Sequence, residues 1–228
     1  PDMPEEINRI ISDHVSNYLF APTKTAIKNL VSENLKEKSY LTGDIMVDSI
    51  NIALKKISKN NIFDKYKIKE NEYYLLTLHR PYNVDNPSNI INIFSFLDKI
   101  DSKILFPVHP RTNNIINMNN IVIPKNILLI EPVSYLDFID LQKNSKKIIT
   151  DSGGIQKEAY ILKKPCITLR SETEWKETVD MGWNLLINPN TENDINLKIE
   201  SFYPSKNHIS LFGNDVSIKM VELINKLL

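Results

Sequence analysis

Asp151-Ser152-Gly153-Gly154, followed by Ile155-Gln156-Lys157-Glu158, is the stretch of this chain best equipped for chemistry. It reads as the end of a short buried strand over 147–150, a tight turn, and a helix in which Ile155, Ala159 and Leu162 recur at helical spacing. The chain has five glycines in 228 residues, so two side by side at this junction are a pointed use of the residue. Without a Cβ they let a ligand approach the backbone, where the N–H groups of a helix start point outward. The helix dipole adds partial positive charge, which suits a phosphate. Glu158, one turn in, can accept from two neighbouring hydroxyls. A diphosphate at Ser152, Gly153 and Gly154 with a ribose at Glu158 would hold a nucleotide. A helix start that uses glycine only for close packing would read the same way.

Other polar residues end apolar runs: Thr77-Leu-His79-Arg80-Pro81, Val108-His109-Pro110-Arg111 and Leu169-Arg170-Ser171-Glu172. Each has a bland reading as a loop histidine or a solvated arginine. If the runs are parallel strands, His79, Arg80, His109, Arg111 and Arg170 gather at their carboxyl ends, where such sheets bind ligands. A shared anionic ligand then explains them together.

The elements that must position these residues alternate. Helices are expected at 4–15, 23–35 and 45–57, with short strands at 18–21 and 39–41. The Lys- and Asn-rich 58–71 reads as a linker or surface. From residue 72 the pattern is regular: strands at 73–78, 103–108, 127–130, 147–150, 166–169 and 183–187. Helices are expected at 89–100, 134–143, 172–181, where Gly182 stops the helix, and 215–228. Apolar strands between helices mean a doubly wound parallel α/β sheet, covered on both faces.

Composition sets limits. Formal net charge is zero and hydrophobic content 42%, so neither nucleic acid nor a membrane surface is expected as a partner, and any anion site must be local. The single Cys166, in an apolar run, reads as a buried strand thiol and the compartment as cytoplasmic. No run is long and apolar enough to span a bilayer. No Cys/His cluster has metal-ligand spacing, so no metal and no cofactor are expected. The chain opens Pro1-Asp2-Met3 without an initiator Met, which suggests a fragment.

The ordered motifs Thr77-Leu-His-Arg-Pro, Val108-His-Pro-Arg, Thr150-Asp-Ser-Gly-Gly-Ile-Gln-Lys-Glu-Ala and Leu169-Arg-Ser-Glu-Thr-Glu-Trp resemble the UDP-N-acetylglucosamine 2-epimerase family. So do Met3-Pro-Glu-Glu-Ile-Asn-Arg and Tyr40-Leu-Thr-Gly-Asp. The resemblance implies a GT-B-like fold of two Rossmann-like domains with the substrate between them. It implies that 1–56 is the tail of a truncated first domain, 57–212 the UDP-binding second domain, and 213–228 a helix crossing back. The implied reaction inverts C2 of the sugar of UDP-GlcNAc, by loss of UDP to a glycal and re-addition to give UDP-ManNAc. A hydrolysing branch releases ManNAc instead. Carried over, Glu5 is a catalytic carboxylate and His79 the essential histidine near the diphosphate. Ser152, Gly153 and Gly154 bind phosphates, Glu158 the ribose, and Arg170 the substrate or nucleotide; Arg80, His109 and Arg111 line the site. The full-length protein would be a homodimer. Tyr82 departs from the family, which carries Glu after His-Arg-Pro. Two rival readings remain: a GT-B glycosyltransferase, which shares the nucleotide half, and a UDP-sugar-binding module without catalysis.

Overall fold

A computed structural model gives the architecture; it describes residues 4–57 and 62–228, the side chains of Pro4 and Glu5 excepted. The chain divides into two compact units: Pro1–Ile52 with Ile209–Leu228, and Ala53–His208.

The first unit begins with α1 (Pro4–Val15), β1 (Leu19–Ala21), α2 (Lys24–Ser32), β2 (Ser39–Leu41) and the start of α3 (Met46–Lys56). β1 and β2 pair in parallel, with Phe20 opposite Tyr40. Thr23 caps α2, its hydroxyl accepting from Ala26 N at 3.1 Å. Arg9 ties α1 to the end of α2: its guanidinium donates to Glu6 and Glu33 at 2.7 Å each and to Asp13 at 2.6 Å.

The second unit takes the end of α3 and then α4 (Ile62–Tyr66), which lies inside the stretch read as linker. Ile62 is buried there with Tyr73 and Leu75, so apolar burial overrides the polar composition around it. Of that stretch, 58–61 lies outside the described residues. Then come β3 (Tyr73–Thr77), α5 (Pro81–Val84), α6 (Pro87–Leu97), β4 (Lys103–Pro107), α7 (Pro110–Met118), β5 (Ile127–Ile130) and α8 (Tyr135–Asn144). β6 (Lys147–Thr150), α9 (Gly153–Ile161), β7 (Cys166–Thr168), α10 (Lys176–Asp180), β8 (Asn184–Leu186) and α11 (Ile195–Ser201) follow. The sheet order is β5-β4-β3-β6-β7-β8, every pairing parallel. That is the doubly wound dinucleotide-binding order, and it reverses direction between β3 and β6.

Strand residues alternate between two apolar layers. Tyr74, Leu76 and Ile149 face one core with α6, and Tyr73, Leu75 and Ile148 face the other with Ala159 of α9. β3 and β6 are buried along their whole length, as expected for a sheet covered on both faces. The cores lock the sheet, so the strand ends are a rigid platform for side chains. The helix expected over 172–181 is shorter. Thr173 Oγ1 accepts from Trp175 N at 3.0 Å, a local bond that competes with the helical ladder, and α10 begins only at Lys176. Its end is a Schellman motif: Gly182 takes φ +68° and donates to Val179 O, while Trp183 N donates to Thr178 O.

The last helix, α12 (Val216–Leu227), clusters with the first unit. Asp48 of α3 accepts from Ser217 N at 2.6 Å in its first turn, and these bonds hold the Asp48 carboxyl below its usual pKa.

Candidate functional site

Level strand ends build the site. The register pairs Thr77 with Thr150 and Thr150 with Thr168, so β3, β6 and β7 stop on one line. The hydroxyls of Thr77 and Thr150 are 2.6 Å apart, and Thr150 Oγ1 also accepts from Ser152 N at 3.0 Å, turning the chain out of β6 into α9. His79, Ser152 and Arg170 each lie two residues beyond that line. They meet at the carboxyl edge around the β3–β6 reversal.

Asp151 organises the β3 side of this edge. It is fully buried and accepts from His79 N (3.1 Å), Arg80 N (3.0 Å) and Asn83 Nδ2 (3.1 Å). A buried carboxylate is tolerated because donors surround it. Its Oδ1 lies 3.3 Å from His79 Nδ1, which orients the imidazole and leaves Nε2 for chemistry. Asn83 also donates to Leu169 O at 3.1 Å, joining this loop to the end of β7.

The start of α9 is the centre of the site. Ser152 is the N-cap, and its hydroxyl makes no capping bond. Gly154 has open space where a side chain would be, the nearest atom being Ser152 Oγ at 3.9 Å. At Gly153 a Cβ would overlap the Glu174 carboxylate, which also accepts from Arg170 Nη1 at 2.7 Å. With Glu174 in this position only glycine fits at 153, and the group that approaches it is an anion.

One turn into α9, Glu158 is 8% exposed and accepts from Gln142 Nε2 of α8 at 2.6 Å. Burial pushes its carboxyl pKa up, against the hydrogen bond from Gln142. Gln142 Oε1 is buried beside it with no partner, an acceptor left over next to a carboxylate. Nearby, a pocket of about 210 Å³ is lined by Thr77, His79, His109, Val133, Phe138 and Ile155, among others. Phe138 and Gln142 share a face of α8, and Ile155 and Glu158 a face of α9. The Glu158–Gln142 pair therefore lies one turn along the same two helix faces from the pocket residues Phe138 and Ile155.

The arginines and histidines expected to gather do share the carboxyl edge, but carboxylates already face several of them. Arg111 pairs with Asp85 at 2.5 Å, both about half exposed, Arg170 with Glu174, and His79 with Asp151. His109 is the N-cap of α7, its Nδ1 accepting from Arg111 N at 3.2 Å. Glu5 falls in α1, and its side chain lies outside the described residues.

A buried polar network braces the Arg170–Trp175 loop. Gln156 Oε1 accepts from Thr173 Oγ1 (2.6 Å) and Asn184 Nδ2 (3.0 Å), and Asn184 Oδ1 accepts from Thr168 Oγ1 (2.7 Å). Asp151, Gln142, Gln156 and Glu174 were not singled out by sequence reasoning. Asp151, Gln156 and Glu174 stand inside motifs that were noticed, whereas Gln142 joins the site only through the packing of α8 on α9. Cys166 is buried, and its thiol pKa is pushed up to about 12 by desolvation, so no thiolate nucleophile is available. Among the described residues no group of three or more His, Cys, Asp or Glu could hold a metal ion, and no helix is long and apolar enough to cross a membrane.

Comparison with known proteins points the same way. The family model described as UDP-N-acetylglucosamine 2-epimerase matches residues 1–219. A protein of Methanococcus maripaludis named UDP-N-acetylglucosamine 2-epimerase homolog is 46% identical over 99% of this chain and 65% of its own length. A UDP-2,3-diacetamido-2,3-dideoxy-D-glucuronate 2-epimerase of Pseudomonas aeruginosa is 39% identical over 81% of this chain and 52% of its own. The crystal structure of Methanocaldococcus jannaschii UDP-GlcNAc 2-epimerase in complex with UDP-GlcNAc and UDP superposes with TM-score 0.88 at 40% identity, over 99% of this chain and 65% of that one. The chain thus spans less than two thirds of the length of these relatives.

Proposed function

Because the chain belongs to the UDP-N-acetylglucosamine 2-epimerase family, we propose that its larger unit is the UDP-binding half of a cytoplasmic UDP-sugar 2-epimerase. One observation carries this reading: a side-chain-free helix start at Ser152, Gly153 and Gly154, where an anion already lies against Gly153, on the edge where the sheet order reverses and one turn before a buried carboxylate. The diphosphate lies against the first amides of α9, the ribose hydroxyls donate to Glu158 and Gln142 Oε1, and the base enters the pocket beside Phe138 and Ile155. These groups match the nucleotide in order and in chemistry.

The reaction in this proposal removes the proton at C2 as the C1–oxygen bond breaks, giving a glycal and UDP. UDP then adds back to C1 while a proton is delivered to the opposite face of C2, and the product is UDP-ManNAc. Glu5 serves as one carboxylate for C2. His79, held by Asp151, faces the departing diphosphate and can hold or give up a proton at Nε2. Arg170 and the α9 amides oppose the charge that develops on UDP. Arg80, Arg111 and His109 line the edge, His109 shaping the pocket. The smaller unit is the tail of the first Rossmann-like domain, and the remaining catalytic groups come from sequence beyond these 228 residues. The full-length protein works as a homodimer.

The specific sugar is UDP-GlcNAc and the enzyme is non-hydrolysing. A second reading, favoured by the 39%-identical Pseudomonas relative, replaces the sugar with a diacetamido-glucuronate on the same nucleotide. Proton NMR in D₂O separates these. A longer protein that carries the preceding sequence should convert UDP-GlcNAc to UDP-ManNAc with one deuterium at C2, while the 228 residues alone bind UDP and turn nothing over. Free ManNAc would establish the hydrolysing branch, and turnover by the 228 residues would overturn the proposed division of labour.

A further inference from the structure

Gly153 has no side chain, and a carboxylate occupies that place. A Cβ there would overlap Glu174 Oε1, and Trp175 Nε1 lies 3.5 Å from the same point. The other oxygen accepts from Arg170 Nη1 at 2.7 Å. An anion of the chain's own therefore sits at the positive end of α9, held by the guanidinium assigned to the phosphates. We propose that Glu174 stands in for the ligand's phosphate: it fills the helix start until a nucleoside diphosphate displaces it. The inference deepens the UDP reading of this site and rests on it.

The surrounding loop is built for such an exchange. The backbone on either side of Glu174 is tied down, since Thr173 Oγ1 donates to Gln156 Oε1 at 2.6 Å and accepts from Trp175 N at 3.0 Å. The Glu174 side chain is 45% exposed, while that of Arg170 is 8% exposed. An ion pair with one exposed partner contributes little, so the carboxylate can swing out without moving the loop. Arg170 stays in place and meets the incoming anion. The result is selection by charge. A diphosphate replaces one carboxylate with more negative charge and gains both partners, whereas a neutral nucleoside brings nothing that dislodges Glu174. The same carboxylate keeps weaker anions from occupying the helix start.

Titration calorimetry of UDP and uridine against the 228-residue chain and its Glu174→Gln variant tests this. Removing the charge while keeping the shape should tighten UDP roughly two- to fivefold, the effect of one charge at a helix terminus. Uridine affinity should not change. Unchanged or weaker UDP binding by Glu174→Gln overturns the inference, as does an equal gain for uridine. If neither protein binds UDP, the nucleotide reading itself falls; if both bind it equally, only the role of Glu174 does. A melting curve of each protein shows that the variant is folded.

Discussion

In the proposed function, Glu158 is the residue on which nucleotide recognition turns. Its carboxylate is buried, bonded to Gln142 and placed one turn beyond the first amides of α9. Replacing it by Ala leaves ribose hydroxyls without an acceptor, so UDP should bind about 1–3 kcal/mol more weakly, read by calorimetry. Unchanged affinity would refute the ribose assignment. Its pH dependence follows from burial. The carboxyl pKa is raised, and only the ionised form accepts from both hydroxyls, so affinity should fall as pH drops through that raised value. Uridine is the right probe because it has no phosphate to titrate. Its affinity should decline on acidification in the wild type and stay flat in Glu158→Gln. The placement of Ser152, Gly153, Gly154 and Glu158 was legible in local sequence, from strand, turn and helical spacing. Asp151 was visible in the same motif without a role, because its partners His79, Arg80 and Asn83 are about seventy residues away in sequence. Gln142 had no signal at all, since only the packing of α8 on α9 brings it to Glu158.

At the scale of elements, the polar clip around Gln156 fixes where the loop after β7 runs. Gln156→Ala would leave Thr173 Oγ1 and Asn184 Nδ2 without one of their buried partners. The chain should lose about 1–3 kcal/mol in urea unfolding, through the cost of unsatisfied buried groups. A loss within error would show that the clip is dispensable. Lys147 at the start of β6 is a second case. It is fully buried, and its Nζ donates at 2.7 Å to Ile199 O and Glu200 O at the end of α11. Desolvation outweighs these bonds and lowers its pKa to about 8. A lysine depressed in the fold binds its proton less tightly than in the unfolded chain. Stability should therefore rise as pH increases from about 8 towards the ordinary lysine range. In Lys147→Met that rise should vanish; its persistence would place the effect elsewhere. The elements show where sequence reading fails as well. The strands over 127–130 and 147–150 were legible to the residue, because short β-branched and aliphatic runs, Ile-Leu-Leu-Ile and Ile148-Ile149, stand between polar segments. α5 and α7 were not expected, because His-Arg-Pro and His-Pro-Arg read as loops. In the structure Pro81 and Pro110 occupy the first helical turn, where a missing N–H costs nothing.

At the scale of the whole molecule, the division into two units carries the central claim. Among the described residues the larger unit has a six-stranded doubly wound sheet, whereas the smaller has two paired strands. Nucleotide binding should therefore belong to the 228 residues, and epimerisation to a longer protein. The alternation of strands and helices made the larger unit readable from sequence. The reversal of strand order between β3 and β6, where the proposal puts the ligand, is a long-range property that periodicity does not encode. The most direct test is a crystal of this chain grown with UDP. The account predicts both phosphates within hydrogen-bond reach of the amides of Gly153 and Gly154, the ribose on Glu158, and the Glu174 carboxylate swung away. Density for UDP anywhere else on the chain would contradict it.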